Sequence, residues 1–131
     1  MNATRPIAAA SGTDARILDS LDDLAHDATG ALDRAEQPGF YDRLDWLALT
    51  HANIYPDNAI AVAAARRNAD AAWLPLRDCG SGHGRGLASW YTLAFAPLFT
   101  PNAAPAARTR LLGEMAGVLR RRFDTLSLWP L

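Results

Sequence analysis

The run Arg77-Asp78-Cys79-Gly80-Ser81-Gly82 has the pattern R-x-x-G-x-G. Glycines at this spacing let backbone N–H groups approach a phosphate, and a helix starting directly afterwards would add its dipole. After Gly86 comes Leu-Ala-Ser-Trp-Tyr-Thr, which reads as a strand and not as a helix start. The run therefore reads first as a hairpin loop. In the alternative reading it is an anion site, held by Arg77, Gly80 and Gly82. Cys79 and His83 could form a nucleophile–base pair or half of a metal site. The sequence places no orienting carboxylate or second ligand pair beside them, and His26 and His51 lack metal spacing. They read as incidental neighbours, and no metal is expected.

Tyr41, Trp46, Trp73, Trp90, Tyr91 and Trp129 are large enough to build a core or line a groove. Core packing is the general expectation. Ser89, Trp90 and Tyr91 are the best candidates for a groove that takes an acyl or amino-acid substrate. Asp19, Asp22, Asp23, Asp27 and Asp33 lack the alternation and glycine of a calcium loop, and read as a solvated helix face. Arg120, Arg121 and Arg122 could bind an anion, but cations at a helix C-terminus need no ligand to explain them.

Composition narrows the classes. The 131 residues fit one domain, half of them hydrophobic, with a net charge of −1. That balance argues against a nucleic-acid partner. Every basic residue is Arg, so a Walker-type phosphate loop and a Schiff-base lysine are excluded. Cys79 is the single cysteine and cannot form an internal disulfide. The run Ile7-Ala8-Ala9-Ala10 is too short for a signal segment, and no stretch has the length of a membrane span. A cytoplasmic protein without a membrane partner is the expectation.

These candidates need elements to position them. Residues 1–12 read as a flexible leader, and 13–131 as one domain. Ile17, Leu21, Leu24, Ala28, Ala31 and Ala35 make one helical stripe, capped at Thr13 or Asp14, weakened near Gly30 and ended by Pro38-Gly39. A second helix runs from Tyr41 to Asn53. Ala59–Ala65 and Ala72–Arg77 read as strands joined by the turn Arg67-Asn68-Ala69-Asp70. Pro75 marks an edge, end or bulge in the second of them. Gly80–Gly86 reads as a loop and Leu87–Phe95 as a third strand. An irregular stretch, 96–105, leads to a helix from Pro105 to Arg122, with Leu111, Met115, Val118 and Leu119 as its stripe. Phe123–Trp129 reads as a last strand. The fold class is α/β (α+β): two helices, a three-stranded antiparallel meander, a helix, and a strand parallel to the third.

Several phrases carry a family resemblance. They are Phe40-Tyr41-Asp42 with Trp46-Leu47, Trp73-Leu74-Pro75-Leu76, Leu87 to Thr92 running into Ala96-Pro97-Leu98, and Leu126 to Leu131. Over about residues 38–131 the chain resembles the N-terminal half of GNAT-like acyltransferases of the CelD-like and Fem-type group, which pair two such halves. The element order is similar to GNAT as well. The resemblance implies acyl transfer from acetyl-CoA or another acyl-CoA to an amine. It also implies a coenzyme loop between the last meander strand and the next helix. Here that connection is Ala96–Pro105, which holds no glycine, and Arg77–Gly82 lies one hairpin too early. The expectation is an incomplete GNAT fold that is not catalytic alone. It would bind no cofactor itself and would shape a substrate groove beside a second half. Two alternatives stay open. One is a small interaction module that pairs or self-associates through its C-terminal strand. The other is a self-sufficient acetyltransferase using Gly80–Gly86.

Overall fold

The computed structural model describes residues 13–32, 40–92 and 95–128. Strand β1 (Asp14–Leu18) leads into helix α1 (Leu21–Ala28). A 3-10 turn (Phe40–Asp42) precedes helix α2 (Leu44–Ile54). Then come β2 (Ala59–Arg67), β3 (Asp70–Asp78), β4 (His83–Gly86) and the two-residue β5 (Leu98–Phe99). Helix α3 (Pro105–Arg122) and β6 (Thr125–Ser127) complete the order. The sheet runs β1-β2-β3-β4-β6, with β5 pairing β3. Every described pairing is antiparallel except β4 with β6.

Successive strand residues point to opposite faces, and both faces of the sheet are covered. Ala61, Ala63, Ala65, Ala72, Leu74 and Leu76 pack with Leu111, Met115, Val118 and Leu119 of α3. Ile60, Val62, Ala64, Ala71 and Trp73 pack with Leu24 of α1 and Leu47 of α2. The alanine-rich run 59–65 is thus a strand, buried on both sides from Ile60 to Ala65. The turn between Arg67 and Asp70 closes the β2–β3 hairpin at the positions its sequence gives. Pro75 sits in a strand that is paired along its whole length with β2. On the other side β5 reaches Ala72–Trp73 and β4 reaches Leu76–Asp78, so Pro75 falls in the gap between them. A residue without an N–H is tolerated best where a ladder is interrupted.

Three expectations are corrected. The long first helix is instead a strand, a break and a short helix. Thr13 and Asp14 do not cap it; Ser20 does, its Oγ accepting from the Asp23 N–H at 3.0 Å. α1 ends where Thr29 and Gly30 take positive φ, 48° and 83°. Leu87–Phe95 is not a strand: its described residues are irregular, with a bend at Leu87 and a turn at Trp90-Tyr91. The third meander strand lies earlier, at His83–Gly86, inside the stretch read as loop. The strand parallel to it is β6. The leader 1–12, the Pro38-Gly39 stop, Asp33, Ala35 and Trp129 lie outside the described residues. No helix among the described residues is long and apolar enough to cross a membrane.

Candidate functional site

The glycine run closes the β3–β4 hairpin. Cys79 N–H donates to the His83 carbonyl at 2.9 Å, and His83 N–H to the Gly80 carbonyl at 3.0 Å. Gly80 and Gly82 take φ of 85° and 74°, which a side chain would strain. A Cβ on Gly82 would run into the Asp124 carboxylate. The Gly82 carbonyl accepts from the Asp124 N–H at 2.7 Å and the Thr125 N–H at 3.2 Å. The turn therefore docks the start of β6. No helix follows it, so it has the geometry of a junction and not of a phosphate cradle.

Hairpin closure fixes the register above it. Arg77 lies opposite Arg85, and Arg85 opposite Ser127. Arg77 continues the alternation of Ala71 and Trp73, so Arg77, Arg85 and Ser127 stand on the α1–α2 face of the sheet. They line a cavity of about 140 Å³ with Tyr55, Gly86, Ala88 and Trp90. β4 ends at Gly86 and β6 at Ser127, so the cavity lies at the carboxyl ends of the parallel pair. Open α/β sheets place ligands at such ends.

The loop after β4 is held from two sides. Tyr55 O–H donates to the Ala88 carbonyl at 3.0 Å, and Trp46 Nε1–H to Thr92 Oγ1 at 3.3 Å. Within it, Ser89 N–H donates to Thr92 Oγ1 at 3.1 Å, and Tyr91 N–H donates to Ser89 Oγ at 3.2 Å. Ser89 is buried and serves this turn, while Trp90 and Tyr91 are 84% and 72% exposed. Of the three expected groove residues, Trp90 reaches the cavity, Ser89 holds the turn, and Tyr91 is not among the lining residues.

Arg77 and Arg85 supply the charge. The Arg77 guanidinium lies 3.7 Å from the Tyr55 ring centroid. Its Nη1 donates to Asn58 Oδ1 at 3.1 Å, and its Nε is buried with no hydrogen-bond partner. Arg85 Nε–H donates to His83 Nε2 at 3.2 Å. Among the described residues neither arginine makes an ion pair.

His83 does not meet the Cys79 thiol. Its Nδ1 pairs with Thr125 Oγ1 and its Nε2 lies 3.4 Å from Ser127 Oγ. Arginine can only donate, so Nε2 is the acceptor of the Arg85 bond. A lone pair held this way is poorly placed to take a proton from Ser127. The Cys79 thiol is exposed, 3.3 Å from Arg77 Nη1. Among the described residues no three metal-ligating side chains group together.

The candidate coenzyme residues separate in the same way. Arg77 faces the cavity, whereas Gly80 and Gly82 belong to the turn. Sequence reasoning missed Arg85, Tyr55 and Ser127. A usable signal existed for Arg85: a hairpin turned at Cys79–Gly82 puts Arg77 and Arg85 opposite one another. No protein-family model, no curated protein and no solved structure matches the chain.

Proposed function

We propose that this chain is a GNAT-like acyltransferase module that shapes a substrate groove and leaves the acyl-CoA to a second module. One observation carries the reading. A strand, two helices and an antiparallel meander lead through a long helix to a strand parallel to the last meander strand, with a cavity where those two strands end.

The start of α3 supports the division of labour. Residues 87–104 contain no glycine. Ala104 caps the helix without a side-chain bond, and Pro105 removes one of the free N–H groups a pyrophosphate would use. Arg108 is turned back, its Nε donating to the Ala103 carbonyl at 3.0 Å. In the parent reaction the amine nitrogen attacks the thioester carbonyl, a C–N bond forms, the C–S bond breaks as the thiolate leaves, and the proton lost by the nitrogen ends on the thiol. The contribution of this chain is orientation of the acceptor beside Trp90.

A titration of the chain tests this. N-acetylated primary amines, which mimic the product, are expected to bind saturably and to lose that binding in Trp90→Ala. Acetyl-CoA is expected to show no saturation below on the order of 1 mM. Absence of amine-product binding, or tight acetyl-CoA binding lost in Gly82→Trp, would overturn the proposal. The second outcome would favour a self-sufficient transferase.

One observation favours a second reading, an interaction module. β6 is last in the described sheet order, and Thr125, Leu126 and Ser127 are all exposed. An open strand of this kind can pair with a partner or with another copy.

A further inference from the structure

Like charges directly opposite on one face of an antiparallel pair repel each other. Arg77 and Arg85 stand in that relation, and no described carboxylate pairs with either. Such an arrangement is costly in an empty pocket and favourable around an anion. The Arg77 Nε is buried with no hydrogen-bond partner, which adds to the cost of holding this charge without an anion nearby. The Arg77 guanidinium sits over the Tyr55 ring, and Tyr55 is itself fixed to Ala88.

We infer that this cavity binds the carboxylate of a small organic acid between Arg77 and Arg85, with the rest of the molecule toward Trp90. The anion site stands on the two arginines alone. Its assignment to the acyl acceptor, making that acceptor an amine with a carboxylate, rests on the acyltransferase reading. Planar guanidinium forks match a carboxylate in two-point contact. Phosphates are commonly cradled by backbone amides, and those amides are in use here. Leu87 N–H donates to the Pro75 carbonyl at 3.1 Å and Ala88 N–H to the Gly86 carbonyl at 2.9 Å. The volume of about 140 Å³ suits a molecule the size of an amino acid and not a nucleotide.

Calorimetric titration with N-acetylglycine, with its uncharged amide N-acetylglycinamide and with inorganic phosphate tests the inference. N-Acetylglycine is expected to bind, the amide to bind at least about tenfold more weakly, and Arg85→Gln to weaken N-acetylglycine about tenfold or more. Arg85 is exposed, so this variant keeps the fold even where Arg77→Gln does not. Equal binding of the amide, or unchanged N-acetylglycine binding in Arg85→Gln, would overturn the inference. Phosphate binding tenfold tighter than N-acetylglycine and lost in Arg85→Gln would keep the anion site and overturn the carboxylate. Failure of the acyltransferase reading shows separately: N-acetylglycine would bind through its charge, while Trp90→Ala left the binding of neutral N-acetylated amines unchanged.

Discussion

Arg77 on β3 and Arg85 on β4 occupy the same register position of an antiparallel pair, so two guanidiniums rise from one face of the sheet. Without a ligand this costs on the order of 0.2–1 kcal/mol. Arg85→Gln is therefore expected to stabilise the free chain by about 0.5 kcal/mol. Added salt should narrow the gap between the two proteins, because it screens the repulsion. Urea unfolding at low and high salt measures both effects. A destabilised variant would mean the arginines do not repel.

The turn at Gly80 and Gly82 gives a second prediction. Both residues hold positive φ, but only Gly82 meets a neighbour, Asp124. Gly80→Ala should cost about 1 kcal/mol through backbone strain alone. Gly82→Ala should cost slightly more, because the Asp124 carboxylate must also swing aside. Comparing the unfolding midpoints of the two variants checks the order.

A third prediction concerns the opposite end of the sheet. Trp73 is fully buried, and its Nε1–H donates to Asp27 Oδ2 at 2.8 Å. Arg16 and Arg66 approach the same carboxylate. Asp27→Ala leaves a buried indole N–H without an acceptor and should cost about 2 kcal/mol. Asp27→Asn keeps an acceptor and should cost less. Denaturant titration monitored by tryptophan fluorescence separates them.

These contacts show what the sequence could and could not disclose. The β2–β3 hairpin was legible because the polar stretch Arg66 to Asp70, with Asn68 at its centre, interrupts two apolar runs. Helix α3 was legible from Pro105 and the stripe Leu111, Met115, Val118, Leu119. β1 was hidden because Ile17 falls in helical step with Leu21 and Leu24, although a strand carries the first and a helix the other two. The loop after β4 looked like a strand because Trp90, Tyr91 and Thr92 favour strands. The hydrogen bonds of Ser89 and Thr92 bend it into a turn that displays its aromatics. The cavity itself depends on register. Ser127 is far in sequence from Arg77 and Arg85, and the three become neighbours only when β3, β4 and β6 pair.

A fourth prediction follows from Asp78. Its carboxylate accepts from Arg122 Nη2 at 2.9 Å and from the Gly80 N–H at 2.8 Å, tying the end of β3 to the end of α3. The hydrogen bond from Arg122, then that from Gly80, holds its pKa below the ordinary value of 3.8. A lowered carboxylate pKa stabilises the fold at pH values above the unfolded pKa. The contribution is lost as pH falls through the folded pKa, here below 3.8. Asp78→Asn should therefore be less stable than the parent at neutral pH, with the difference closing in strong acid. Unfolding curves for both proteins at about pH 7 and about pH 2 check the sign.

The most direct measurement is a ¹H–¹⁵N spectrum of the labelled chain during titration with N-acetylglycine. Saturable shifts are expected at Arg85, Ala88, Trp90 and Ser127 and at the Arg77 Nε–H, all of them lost in Arg85→Gln. Shifts confined to the Gly80–Gly82 turn or the start of α3, or no saturable shift, would contradict the carboxylate site.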